Sequence, residues 1–251
     1  MSLLADPLFW AVSVPAVLLA GVSKASGNGL GMLAVPLMAL TMSPATAAAI
    51  MLPILCAMDA LGLWAWRGRS DATTLRLMLP GAVLGIVLGS LAFSVLDVRW
   101  VKALLGVESV AFALHRILAR HAIAAAPPRP HSVLRAGGWG MVAGFTSTLA
   151  HAGSPPLMQY LLPLKLDKAR LVATTVIFFT VVNAVKLLPY AAIGLFDASA
   201  LTASLALAPF VPLGYWAGLR LVAVLPESVF YRLLVGSLLV IGVKLLFDAL
   251  T

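Results

Sequence analysis

Two glycine-rich interruptions in an otherwise apolar sequence carry many of the polar side chains that could bind a solute. The first covers residues 21–31 and contains a lysine, two serines and an asparagine; the second covers residues 144–156 and contains threonines, serines and a histidine. A helix that ends in apolar surroundings leaves N–H and C=O groups without partners, and its N-terminus attracts anions. The interruptions therefore predict a polar site for a small anion, and a simple turn between tightly packed helices is the alternative.

Asp59 and Lys186 lie deep within two long apolar runs, and Asn183 precedes Lys186 by three residues, on the same face of a helix. Ionisable residues in such positions are rare and usually functional. The two charges either neutralise each other as a structural pair or flank a binding cavity. Asp59 and His151 are also candidates for taking up and releasing a proton during a cycle. The predicted substrate-binding residues are Lys24, Ser26, Gly27, Asn28, Gly29, Thr146, Ser147, Thr148, His151, Gly153, Ser154, Thr174, Thr175, Asn183 and Lys186.

Motifs of soluble enzymes are absent from the sequence. It contains no H-E-x-x-H, G-x-S-x-G or P-loop pattern and no Rossmann fingerprint. The single cysteine, Cys56, excludes an internal disulfide and a multi-cysteine metal site. We therefore expect no enzyme activity, no catalytic residues, no metal site and no cofactor.

The composition is typical of an integral membrane protein. Of the 251 residues, 62% are hydrophobic and 10% charged, and the mean hydropathy is +1.04, whereas a soluble domain has about 25% charged residues. The net charge of +8 does not indicate a nucleic-acid partner, because the basic residues lie mainly between apolar runs. Basic residues in such loops determine how a protein is oriented in the membrane. Residues 1–6 lack a basic segment, so the first apolar run is predicted to be retained rather than cleaved.

The chain contains two copies of one unit. Residues 20–23 match 143–146, and the matches continue in the same order to residues 102–106 and 232–236, so the offset grows only from 123 (143 − 20) to 130 (232 − 102). The intervening matches pair 47–50 with 174–177, 71–72 with 197–198, and Gly85 and Gly89 with Gly214 and Gly218. The predicted units are a first transmembrane repeat at 1–118, a linker at 119–135 and a second repeat at 136–251.

Each repeat holds five apolar segments. They lie at 7–23, 29–42, 44–66, 76–96 and 100–118, and at 136–150, 155–164, 171–193, 198–221 and 229–249. The second of each set is short against the ~20 residues that a helical span requires. The predicted fold is an all-α polytopic membrane protein with two homologous five-segment halves, short broken helices at segments 2 and 7, and eight to ten transmembrane segments.

Loop charges favour halves of opposite orientation. If segments 29–42 and 155–164 cross the membrane, twelve lysines and arginines lie on one side and two on the other; if they turn back, the same fourteen divide seven and seven. Because basic loops stay in the cytoplasm, the first arrangement is preferred. It predicts inverted repeats, a cytoplasmic linker and two periplasmic termini.

Several of these segments resemble a known family. Residues 143–156, 160–163, 166–168, 173–179 and 182–190 are similar to the second-half signature of the sulfite exporter TauE/SafE family. Residues 24–36 resemble the glycine-rich break in the first half of that family, although Ser26 and Asn28 stand where its members often carry glycine. The resemblance implies a transporter of the bacterial inner membrane, built from two homologous halves, for small anions such as sulfite, sulfoacetate and related organosulfur compounds.

The expected function is therefore secondary transport, with export of a small organic or sulfur-containing anion. Lys24 and Lys186 would supply positive charge, and the hydroxyls of the two breaks would bind the oxyanion. The alternatives are an intramembrane enzyme, a non-transporting membrane scaffold and a passive anion channel. The expected partners are the lipid bilayer and the small anionic solute, with no nucleic acid, and a homo-oligomer stays open.

Overall fold

The computed structural model describes residues 3–26, 30–118, 127–224 and 227–250, and the regular elements in these ranges are all helical. Short 3₁₀ turns lie at Leu3–Ala5, Leu30–Leu33 and Leu162–Leu164. The α-helices are α1 (Pro7–Ser26), α2 (Ala34–Met38), α3 (Pro44–Trp66), α4 (Ala72–Val95), α5 (Val98–Leu118), α6 (Val133–Ala150), α7 (Ser154–Leu161), α8 (Lys168–Ala192), α9 (Ala198–Leu207), α10 (Phe210–Val224) and α11 (Glu227–Leu250). The all-α prediction is confirmed for this part of the chain.

Four of these helices are long and apolar enough to cross a membrane. Their qualifying stretches are Pro7–Ala25, Pro44–Trp64, Ala72–Phe93 and Ala169–Ala192, with mean hydropathies of 1.7 to 2.0. Helices α9 and α10 together form a fifth candidate span that bends by 49°. The described residues therefore support a multi-pass membrane protein with four or five candidate spans, while the eight to ten segments stay a prediction. Helices α2 and α7, at segments 2 and 7, have only five and eight residues.

Polar caps determine where several of these helices begin. In each case a side-chain oxygen just before the first turn accepts a hydrogen bond from a backbone N–H three residues later, which satisfies a group that the helix leaves free. The capping oxygens belong to Ser43 for α3, Asp71 for α4, Ser132 for α6, Asp167 for α8 and Asp197 for α9. Asp71 and Asp197 occupy matched positions of the two repeats, and both cap the fourth segment of their half.

The most extensive contacts between helices join the two halves of the chain. Helix α1 packs along α10, α4 along α6, α5 along α11 and α3 along α8. Glycines make two of these contacts very close: a Cβ on Gly21 would lie 2.5 Å from the carbonyl carbon of Gly214, and a Cβ on Gly144 would overlap the carbonyl oxygen of Ala82. Small residues of this kind let helices approach closely. Within a bilayer the hydrophobic effect does not drive helices together, so such close packing is what holds them to one another. Helices α3 and α8 thus stand between the tightly packed pairs α1–α10 and α4–α6.

Candidate binding site

A cavity of about 50 Å³ lies where the end of α1 and the turn after it meet α3, α8 and the junction of α6 with α7. Its apolar wall includes Leu55, Val176 and Phe179. Its polar lining consists of Ser23, Lys24, Ser147, His151, Ser154, Thr175 and Asn183. The lining comes from both halves of the chain, so the two breaks that the sequence singled out converge on one space.

The Asp59 carboxylate on α3 is held from two sides. Lys24, in the last turn of α1, forms an ion pair with Oδ1, and Asn183 on α8 donates from Nδ2 to Oδ2 at 2.5 Å. The Asp59 side chain is only 3% exposed, against 16% for Lys24. The Lys24 ammonium also lies 5.4 Å from the centre of the Phe179 ring, within range of a cation–π contact. Asp59 is therefore paired with Lys24 and not with Lys186.

Lys186 is completely buried on α8, and its ammonium has three acceptors. Nζ lies 3.0 Å from the Ser147 carbonyl oxygen, 3.0 Å from the Ser147 Oγ and 2.7 Å from His151 Nδ1. An ammonium has three N–H groups to donate, so this set uses all of them. No carboxylate in the described ranges makes an ion pair with it. Lys186 does not line the cavity itself, but it contacts two residues that do, Ser147 and His151.

His151 ends α6 in a left-handed conformation, with φ 51° and ψ 27°. Its Nε2 lies 2.9 Å from the Ala48 carbonyl oxygen on α3. Because a carbonyl only accepts, we assign the hydrogen to Nε2, which leaves Nδ1 to accept from Lys186. The neutral imidazole thus links the Lys186 ammonium to the backbone of α3.

Other predicted site residues serve the packing around the cavity. The hydroxyls of Thr146 and Thr148 donate to backbone carbonyls of α6, and Thr146 also reaches the Ala152 oxygen. A Cβ on Gly153 would lie 2.6 Å from the Ala143 oxygen, so this glycine lets α7 begin close to α6. Thr174 lies away from the cavity, where its hydroxyl accepts the Asp71 N–H at 2.8 Å.

Of the remaining predicted site residues, one lines the cavity, and the others lie wholly or by their side chain outside the part of the chain that the structure describes. Thr175 lines the cavity, and its hydroxyl donates to the Leu171 oxygen at 2.9 Å. The Ser26 side chain and residues Gly27, Asn28 and Gly29 lie outside the described residues. Ser23 and Phe179 are among the lining residues that were not predicted. The spacing of Thr175, Phe179 and Asn183, four residues apart each time, places all three on one face of α8 and would have identified the second.

The charges around the cavity favour an anion. Lys24 and Lys186 are the two amines, and Asp59 is the one carboxylate, among the described residues that line or adjoin the cavity, so its net charge is positive when both amines are protonated. The first turn of α7 adds less than expected, because Pro155 and Pro156 have no N–H and only Ser154 can donate there. The lysine and hydroxyl side chains therefore supply most of the groups that could bind an anion, and the N-terminus of α7 supplies few.

Comparison with known proteins identifies one family. The profile of the family described as Sulfite exporter TauE/SafE matches residues 13–245, nearly the whole chain. No curated protein and no solved structure matches significantly. The match extends over both halves and all of the cavity-lining helices. The chain therefore belongs to the sulfite exporter TauE/SafE family, a family of membrane transporters.

Proposed function

We propose that this protein is a secondary transporter that exports a small anion, such as sulfite or a related organosulfur anion, across the bacterial inner membrane. The observation that carries the proposal is a cavity between the two breaks that is flanked by the amines of Lys24 and Lys186 and by one carboxylate. An anion that enters it would meet Lys24, the Asn183 amide and the hydroxyls of Ser147 and Ser154.

The charge of Lys186 supports this reading. A buried charge without a counter-charge is costly, and hydrogen bonds from neutral groups repay only part of that cost. An anion bound beside Ser147 would lie one hydrogen bond beyond Nζ, at roughly 6 Å. At an effective dielectric constant of ~20, the attraction at that distance is about 3 kcal/mol. A bound anion would thus supply the missing negative charge.

The size of the cavity favours the smallest candidates. One water needs ~10–15 Å³ by the same measure, so about 50 Å³ is room for an ion of a few heavy atoms. Sulfite fits this description. Sulfoacetate, with a carboxylate beyond the sulfonate, would require the surrounding helices to move apart.

The helix pairing supports the inverted-repeat proposal. Exchanging the two halves turns the pair α1–α10, segments 1 and 9, into segments 6 and 4, which are α6 and α4. The same exchange leaves α3–α8 and α5–α11 as they are, since each joins equivalent segments. All four close pairs obey one twofold exchange. Together with the loop charges, this favours halves of opposite orientation, a cytoplasmic linker at 119–135 and periplasmic termini.

The test is flux in liposomes that contain only the purified protein. Liposomes are loaded with sulfite, and efflux and initial rates are measured for the wild type, Lys186→Gln and the control Lys244→Gln. Lys244 pairs with Asp248 on the exposed side of α11, away from the cavity. Lys186→Gln should lose nearly all flux while it still inserts and remains monodisperse, whereas Lys244→Gln should match the wild type.

The same measurement separates the alternatives. Saturable flux of chemically unchanged sulfite indicates a transporter, flux that rises linearly with concentration indicates a passive channel, and a modified solute indicates an intramembrane enzyme. Wild-type protein that moves none of sulfite, sulfate, thiosulfate, sulfoacetate, taurine and simple carboxylates would argue for a scaffold. Full activity of Lys186→Gln would remove this lysine from the mechanism.

A further inference from the structure

A second carboxyl group lies near the site but outside the cavity. Glu108 is in the middle of α5, and its Oε1 is shielded from solvent and has no hydrogen-bond partner among the described residues. The Thr146 hydroxyl on α6 is close enough to act electrostatically on the carboxyl, while its own hydrogen bonds go to the Val142 and Ala152 oxygens. A shielded carboxylate with no cation beside it is costly within a membrane, and binding a proton removes that cost.

The charged side chains that the structure describes on the neighbouring helices have other partners than this carboxyl. On α11, Lys244 is paired with Asp248, and on α3, Asp59 is paired with Lys24. On α6, Arg135 donates to the Pro130 oxygen at the far end of the helix. On α5 itself, His115 bonds Gln159 at 2.6 Å. Of the described polar side chains, Thr146 is the one whose hydroxyl acts on the Glu108 carboxyl.

The other carboxyl and imidazole candidates for binding a proton are already engaged. Both oxygens of Asp59 accept hydrogen bonds, and both ring nitrogens of His151 have partners. A proton can bind either group only if one of these bonds breaks. Glu108 has a free oxygen in the described structure and needs no such rearrangement.

Thr146 connects Glu108 to the break between α6 and α7. Its Oγ lies 3.0 Å from the Val142 oxygen and 3.2 Å from the Ala152 oxygen, which belongs to the break itself. A hydroxyl has one hydrogen to give. When Glu108 is protonated, its O–H can donate to Thr146, whose own hydrogen then goes to a backbone oxygen. When Glu108 is ionised, the carboxylate draws the Thr146 hydrogen to itself and the Ala152 oxygen loses that donor.

We propose that Glu108 is a proton-binding site that couples one proton to each transport cycle, with the Thr146 hydroxyl transmitting its state to the α6–α7 break. The inference rests on the proposed transport function. The proton comes from water on one side of the membrane and leaves to water on the other side, and no covalent bond other than the carboxyl O–H forms or breaks.

The experiment uses sulfite as the probe in liposomes held at zero membrane potential, with protein-free liposomes as the baseline. With one proton coupled per anion, a pH difference of one unit sustains a sulfite ratio of up to about tenfold across the membrane. The wild type should build this ratio and change the internal pH. Glu108→Gln, whose amide imitates the protonated acid, should keep exchange of sulfite for sulfite but build no ratio. Thr146→Val should weaken the coupling, and Thr146→Ser should retain it.

Three outcomes would overturn the inference: wild-type transport that ignores the pH difference, full coupling in Glu108→Gln, or equal coupling in Thr146→Val and Thr146→Ser. The first leaves the proposed transport function intact. An infrared readout does not depend on transport: a protonated carboxyl gives a C=O band that Glu108→Gln should remove. If the wild type moves no sulfite, the transport proposal fails for sulfite, and this band decides whether Glu108 holds a proton. If Glu108→Gln does not fold, the two Thr146 variants decide the question.

Discussion

Replacing Lys24 with methionine should destabilise the protein by stranding the Asp59 carboxylate. Methionine keeps much of the length of the lysine side chain and removes its charge. Asp59, at 3% exposure, would retain only the Asn183 amide as a partner. Removing one member of a buried ion pair costs ~3–5 kcal/mol, because the remaining charge is left uncompensated. We expect about 3 kcal/mol here, the lower end, since the amide stays and the cavity admits some solvent.

The complementary variant should cost less. Asp59→Asn keeps the shape of the side chain and leaves Lys24, which is 16% exposed and reaches the cavity. We expect about 1.5 kcal/mol, within the ~1–3 kcal/mol that an unpaired polar group costs. In the double variant Lys24→Met with Asp59→Asn no charge is stranded, so its cost should be about 2 kcal/mol rather than the sum of about 4.5. The coupling energy is then about 2.5 kcal/mol.

The assay is equilibrium unfolding in mixed micelles of a mild detergent with an increasing fraction of dodecyl sulfate, followed by circular dichroism. Sulfite flux is measured on the same preparations. The double variant should recover stability but not flux, because the ammonium that would contact the anion is gone. Single costs that add to within ~0.5 kcal/mol in the double variant would refute the claim that Lys24 and Asp59 form a buried pair. Recovery of flux in the double variant would refute a role for Lys24 in binding.

Two matched comparisons test the packing and the lining. Gly144→Ala should destabilise the protein by about 1–3 kcal/mol, because its Cβ would overlap a carbonyl oxygen of α4, whereas Gly138→Ala on the same helix has nothing within 4 Å and should be neutral or stabilising in the same unfolding assay. Thr174→Val should cost about 1–3 kcal/mol of stability at unchanged KM for sulfite, since it only removes the acceptor of the N–H that begins α4. Thr175→Val should raise KM at little cost in stability; the reverse pattern in these neighbours would contradict their placement.

Local sequence rules located most of the helices, although segment 198–221 is divided into α9 and α10, but they did not give the partners of the buried polar groups. Asp71 and Asp197 are recognisable as equivalent residues from the repeat alone, and both cap the helix of segment 4 in their half. Helix α6 ends at Ala150, as the apolar runs indicated, whereas α1 continues three residues beyond the predicted end of its segment, to Ser26. The partner of Asp59, however, is Lys24, 35 residues away on another helix, and no periodicity links the two. Such a contact depends on how complete helices pack.

The hardest feature to predict was which side of each central helix points towards the cavity. Helix α8 carries apolar residues on every side, so no hydrophobic stripe shows which side points inward. Thr174 and Thr175 are therefore equivalent by sequence, although one caps a contact with α4 and the other lines the cavity. Phe179 was overlooked for the same reason, since an aromatic residue in an apolar helix usually belongs to the core.

The packing indicates which contacts have to change for the cavity to open to either side. The pairs α1–α10 and α4–α6 are joined through glycines at distances that leave no room for a methyl group, so each pair should move as one body. The central helices α3 and α8 contact these bodies through the polar bonds of the cavity, where Lys24 holds Asp59 and Lys186 holds Ser147 and His151. Movement of α3 and α8 against these two bodies would break the bonds that Lys24 and Lys186 make. An anion that binds them in place of their present partners would lower the cost of that movement, which is the link between binding and transport that an exporter requires.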